Sequence, residues 1–221
     1  MKDRTFLICL IGIDGSGKTT IAKLLVNSLR LNGYKCNYVY GRFRPKLSKP
    51  IVDLGKRLFL SNKNIYDSDK YSYSKSEVAK KHSNFLLIYQ YIILLDYSLQ
   101  LLFGIYLPRM LGNSIVCDRY VYDTVINDIP KTSNSPYVLK NLLNRFFKVA
   151  PSPDLTFFID ISEDIAYSRK DDTPSIEYLI ERRKIYIWLA EEYNLAIIDG
   201  TKDINTIRAE IERRIYEWTK Q

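Results

Sequence analysis

The stretch from Phe6 to Thr19 limits what this chain can fold into more than any other part of it. An apolar run, Phe6 to Ile13, passes directly into Gly12-Ile13-Asp14-Gly15-Ser16-Gly17-Lys18-Thr19. Apolar residues without alternation, ended by glycine, are the pattern of a strand buried on both faces, as in a parallel sheet. After the glycines, Ile21, Ala22, Leu24, Leu25, Val26 and Leu29 recur at helical spacing up to Leu31, and Asn32-Gly33 supplies a stop. Strand, glycine-rich turn and helix in this order place a helix N-terminus, with its unpaired N–H groups, where an anion can sit.

The spacing G-x-x-x-x-G-K-T is that of a P-loop, and each position has a physical purpose. Gly12, Gly15 and Gly17 let the chain bend and bring backbone N–H groups close to phosphates. Lys18 neutralises charge between the β- and γ-phosphates, and the Thr19 hydroxyl is placed to hold Mg²⁺. Ile13, Asp14, Ser16 and Thr20 complete the expected ATP-binding segment. An ordinary Gly-Ser-Gly turn with a solvated lysine is the plain alternative, and the flanking strand and helix argue against it. The loop alone does not separate kinases from GTPases or motor ATPases. No N-K-x-D guanine-reading motif is present, which disfavours a switch GTPase.

Further short apolar runs, at Cys36 to Tyr40, Ile115 to Cys117, Leu155 to Ile161 and Leu195 to Ile198, read as strands. Helical segments are expected around Ser76 to Leu107, Ser135 to Lys148, from Glu163, around Ser175 to Glu192 and near Asp203 to Trp218, with a surface loop from Ser61 to Ser76. Strands alternating with helices predict the α/β class: a three-layer P-loop NTPase fold with a parallel sheet covered by helices on both faces. At 221 residues, 46% hydrophobic and 26% charged, without a linker-like stretch, one domain is expected.

The net charge of +8 suits an anionic partner, but the basic residues are dispersed, with only short doublets such as Arg182-Arg183. Small phosphorylated molecules are therefore expected rather than nucleic acid. Cys9, Cys36 and Cys117 stand far apart in apolar runs and read as buried hydrophobes rather than disulfide or metal ligands. The first apolar run, about seven residues, is short for a secretory signal, so a cytoplasmic location is expected. Phe85 to Leu107 is almost wholly aliphatic and aromatic, long enough to span a bilayer, yet it carries Gln90, Asp96, Ser98 and Gln100. A central aspartate costs roughly 2.5–3.5 kcal/mol in lipid, so no membrane span is expected. Tyr89, Asp96 and Gln100 share a stripe that could face a site, leaving other faces for the sheet and a second subunit.

Asp118-Arg119-Tyr120 follows the strand at Ile115 to Cys117. A carboxylate at the end of a parallel strand beside the P-loop can hold Mg²⁺ directly or through water, and the adjacent arginine can bind a second phosphate. A plain Asp118–Arg119 ion pair is the competing reading. With Pro153-Asp154-Leu155-Thr156-Phe157-Phe158-Ile159-Asp160 and Ile198-Asp199-Gly200-Thr201, these motifs resemble the thymidylate kinases in order and spacing over nearly the whole chain.

The resemblance implies transfer of the ATP γ-phosphoryl to dTMP, with Lys18 and Thr19 serving ATP and Mg²⁺ and Asp14 near the metal and the transferred group. It implies that Arg119 and Arg42 hold the acceptor phosphate, with Asp96, Tyr97 and Tyr120 also on the substrate side. A short lid near residues 167–176 would bring Arg169 and Lys170 over the phosphoryl, and a homodimer would form through the long apolar helix. The sequence departs from the pattern at Ile11, where glutamate is usual, and at Gly41-Arg42-Phe43-Arg44-Pro45, where Arg42 and Arg44 compete for one role. It departs again at Ile93 and Tyr97, where an aromatic residue and an arginine are usual. These departures bear on the acceptor base more than on the kinase class. A deoxynucleoside or other small-molecule kinase, with Asp14 or Asp96 as base, and a nucleotide-binding regulator without catalysis remain open. A phosphate acceptor needs no general base, so His82 is expected to be an exposed helix residue.

Overall fold

The computed structural model describes residues 5–51, 53–54, 83–169 and 175–220. The expected loop at 61–76, the start of the helix expected from Ser76, His82 and Lys170 lie outside the described residues, as does the middle of the expected lid.

Five strands form one parallel sheet: β1 (Leu7–Ile11), β2 (Cys36–Tyr40), β3 (Ser114–Asp118), β4 (Leu155–Asp160) and β5 (Ala196–Asp199), in the order β2-β3-β1-β4-β5. β1 sits at the centre, paired through Cys9↔Cys117 with β3 and Cys9↔Thr156 with β4. Its continuous apolar text has a direct cause: Phe6, Ile8 and Leu10 enter one core and Leu7, Cys9 and Ile11 the other. The first core is closed by α1 (Lys18–Leu31) and α8 (Ile204–Thr219), through Ile21, Leu25 and Leu29 and through Ile207, Ile211 and Ile215. The second is closed by α2 (Ser83–Leu101), α4 (Val121–Asn127), α5 (Pro136–Phe146) and α7 (Ile176–Glu192). This is the expected three-layer arrangement, and all three cysteines are buried free thiols within it.

The long apolar helix does not run on regularly. After Leu101 the turn Leu102–Tyr106 widens to a π-helix before α3 (Leu107–Met110). Pro108 offers no N–H to the carbonyl one turn back and its ring crowds that carbonyl, so a wider turn just ahead of it relieves both problems. The segment Leu86–Met110 is long and apolar enough to cross a membrane by composition, yet Ile93, Leu94, Tyr97, Leu101 and Ile105 from it lie in the core. Among the described residues, the helical stretch at 49–51 and 53–54 was not foreseen, nor was α4, which follows Arg119-Tyr120 directly and carries much of the site.

Candidate active site

The loop between β1 and α1 is shaped by its backbone. Gly12 has φ 144°, and a Cβ there would lie 2.6 Å from the Ile159 carbonyl oxygen; Gly15 has φ 86°, and a Cβ there would overlap the Ala166 backbone. Only glycine fits these two places, where β4 and α6 (Glu163–Ser168) press on the loop. Gly17 then caps α1 in a left-handed conformation.

Lys18 is almost wholly buried, its ammonium donating to the Ile13 carbonyl and, at 2.8 Å, to the Ser16 hydroxyl. Burial, and next the Arg119 guanidinium, lowers its pKa to about 7. The Thr19 hydroxyl donates to Asp118 Oδ2 at 2.6 Å, and the Tyr38 hydroxyl donates to the same oxygen at 2.8 Å. Oδ1 of Asp118 is buried and has no hydrogen-bond partner among the described residues. A buried carboxylate oxygen left without a donor, beside a threonine hydroxyl at the start of the loop helix, fits a hydrated divalent cation. Asp118 therefore pairs with Thr19 and Tyr38 and not with its neighbour Arg119.

Arg119 points elsewhere because its backbone is left-handed, φ 67°. Its Nη2 pairs with Asp14, and its Nη1 with Asp123 at 3.1 Å. Burial opposes its charge, but Asp123 and then Asp14 outweigh that and raise its pKa above the ordinary arginine value. Asp123 is fully buried and also receives the Tyr186 hydroxyl at 2.6 Å and the Tyr120 backbone N–H at 3.2 Å, the latter as part of the capping box of α4. Arg42, just past β2, makes a two-pronged pair with Asp128 at 2.7 and 2.8 Å and lies within electrostatic range of Arg119.

The structure thus brings together Asp14, Lys18, Thr19, Asp118, Arg119 and Arg42. It turns three expected substrate contacts to other uses. Tyr97 is buried, its ring edge-on to Phe43 and its hydroxyl donated to the Gly41 carbonyl at 2.7 Å. Tyr120 is fully buried with its hydroxyl on the Pro151 carbonyl at 2.8 Å. Asp96 is buried and accepts from the Lys46 N–H, the Ser48 N–H and the Ser48 hydroxyl at 2.9, 3.0 and 2.6 Å. Gln100 completes the tie by bonding Asp96 and both backbone groups of Arg44. The polar stripe of α2 therefore tethers the 44–48 segment; a helix stripe read from sequence does not say whether its partner is a ligand or a loop. Ile93 is likewise in the core. Arg169 lies exposed at the end of α6, and Arg44 stacks over the Tyr40 ring at 4.0 Å.

Four residues of this site escaped sequence reasoning: Tyr38, Asp123, Asp128 and Tyr186. Only Asp123 had a local signal, its position four residues after Arg119 on a possible helix.

The model of the family described as thymidylate kinase matches residues 80–211. Similar proteins include the probable thymidylate kinase of Staphylothermus marinus, 23% identical over 98% of this chain and 97% of that one, and the probable thymidylate kinase of Archaeoglobus fulgidus, 25% identical over 95% and 94%. Probable thymidylate kinase 1 of Saccharolobus solfataricus is 27% identical over 91% and 92%. With a glycine loop, a strand-end aspartate bonded to its Thr19 and an arginine paired with its Asp14, and with the family model covering more than half of its length, the chain belongs to the thymidylate kinase family.

Proposed function

We propose that this chain phosphorylates dTMP, moving the γ-phosphoryl of ATP to the acceptor phosphate to give dTDP and ADP. The observation that carries the reading is the Lys18–Asp14–Arg119 constellation, in which the donor loop and a second phosphate-binding cation share one carboxylate. Gly12 to Thr20 cradle the ATP phosphates, and Lys18 lies where charge builds between the β- and γ-groups. Thr19 and Asp118 would hold Mg²⁺, which when bound screens the phosphate charge. Arg119 and Arg42 take the acceptor phosphate, and Asp14 leaves Arg119 as that phosphate arrives. Two arginines within electrostatic range of one another suit a phosphate acceptor better than a neutral hydroxyl, and an ionised phosphate oxygen needs no general base. Arg169, with Lys170, closes over the site as part of a lid near 167–176 of a single domain, excluding water.

A homodimer through α2 and its extension accompanies this reading. Leu87, Ile88, Tyr91, Leu95 (67% exposed), Phe103 (68%) and Met110 (81%) are large apolar side chains exposed along α2 and its extension, which a second copy of the chain would cover. The protein works in the cytoplasm, where its three buried thiols stay reduced. A coupled ADP-release assay with ATP across the nucleoside monophosphates and thymidine tests the activity. Turnover with dTMP is expected; turnover of thymidine but not dTMP overturns it. Sedimentation of the Leu95→Glu variant, expected to shift from dimer to monomer, tests the assembly.

A further inference from the structure

We propose that Asp123 and Tyr186 are a positioning pair for Arg119, setting the affinity for the acceptor phosphate without touching it; this rests on the assignment of Arg119 to that phosphate. The two residues come from different elements, α4 and α7, and meet on one oxygen. Asp123 Oδ1 receives Arg119 Nη1 at 3.1 Å and the Tyr186 hydroxyl at 2.6 Å, while Oδ2 receives the Tyr120 N–H at 3.2 Å. Asp123 is 0% and Tyr186 1% exposed, so neither reaches solvent or a nucleotide.

Packing alone does not call for this arrangement. A buried carboxylate is no better for stability than an apolar side chain of similar volume, and it is tolerated only when its lone pairs are met. What the carboxylate adds is direction. The Arg119 backbone is left-handed, so its side chain leaves the chain at an unusual angle, and Asp123 grips one end of the guanidinium. The other end, Nη2, meets Asp14. A phosphate that replaces Asp14 at Nη2 finds the guanidinium already oriented, with a fixed negative charge behind it that the phosphate does not displace. Tyr186 holds the carboxylate in turn: its ring stacks on Phe158 of β4, centroids 5.9 Å apart, and its only polar group is spent on Asp123. The orientation of Arg119 is thereby referred to the central sheet, from which the donor loop also springs.

Tyr186→Phe removes one hydroxyl and keeps the ring. It is expected to raise the KM for dTMP on the order of tenfold, with the KM for ATP within about twofold and the melting temperature lower by a few degrees, because the buried Asp123 loses a donor. Asp123→Asn is expected to lower kcat/KM for dTMP on the order of 100-fold, and calorimetric titration with dTMP should show the same ranking. Arg119→Met is measured alongside. If Arg119→Met leaves the dTMP KM unchanged, the acceptor assignment itself fails. If Arg119→Met raises it while Tyr186→Phe does not, or if Tyr186→Phe raises both substrates' KM equally, the positioning role is overturned and the assignment stands. Should Asp123→Asn not fold, Tyr186→Phe decides alone.

Discussion

The loop proposed to hold the donor and the wall proposed to hold the acceptor meet at Arg119 but are built in opposite ways. Gly12 to Thr19 is one continuous segment whose shape comes from its own glycines and whose lysine bonds within the loop, to Ile13 and Ser16. The acceptor wall is assembled from Arg42 after β2, Asp123 and Asp128 on either end of α4, Asp96 and Gln100 on α2 and Tyr186 on α7. Apart from Arg119–Asp123 and Asp96–Gln100, each four residues apart, these contacts join residues tens of positions distant. A local device tolerates change elsewhere in the protein; a device assembled from distant pairs is exposed to changes in residues that never touch the nucleotide.

The largest effect should come from the loop itself. Lys18→Ala is expected to lower kcat by about 10²–10³-fold or more, as loss of a preorganised charge at the transferred group does. The melting temperature should hold or rise, because a buried ammonium disappears. Retained ADP release in this variant would break the division between a donor loop and an acceptor wall. The same lysine predicts a pH effect. In the nucleotide-free protein it is neutral above about pH 7, whereas a bound polyphosphate favours the charged form. Binding of ATP above pH 7 therefore takes up a proton, approaching about one by pH 8.5, and binding below pH 6 takes up none from this group. Titration calorimetry in buffers of different ionisation enthalpy reads this directly, and Lys18→Ala should abolish it.

On the acceptor side, Asp96→Ala strands the Lys46 and Ser48 donors. Loss of about 1–3 kcal/mol of stability is expected, together with a higher KM for dTMP as the segment beyond Arg42 loosens, and no change in the KM for ATP. Chemical denaturation and steady-state kinetics on one preparation test both parts. An equal rise in both KM values would mean that the two halves are not separable in this way.

The same contrast explains how much could be read from the sequence. The strands, α1 and the donor loop are legible because their signals are local: β2 and α1 begin and end where the residues place them, and Asp118 was visible at a strand end. Helix α4 was not visible. It is short, and its Asp123 and Thr124 are fully buried, so it shows no polar face to set a period. Asp96 and Tyr97 were found as unusual residues on an apolar helix, but their partners, Ser48 and Gly41, are 48 and 56 residues away, and no spacing rule reaches that far. Tyr38 and Tyr186 were invisible for the same reason: each matters only through an aspartate 80 or 63 positions distant.

The smallest effect is expected from a pair with the same sequence spacing as the central one. Arg119–Asp123 and Arg213–Glu217 are both arginine–carboxylate pairs four residues apart. The first has side chains 11% and 0% exposed, the second 62% and 56%. Water screens the exposed pair, and ordering two long side chains offsets most of the attraction that is left. The buried pair lacks that screening, and its carboxylate has no solvent to turn to when the partner is removed. Glu217→Gln should therefore move the melting temperature by less than about 2 °C and leave both KM values as they were, while Asp123→Asn alters the acceptor kinetics. If Glu217→Gln changed the KM for dTMP as strongly, burial would not be what separates the two pairs, and the acceptor wall would owe its sensitivity to overall charge instead of to the contacts around Arg119.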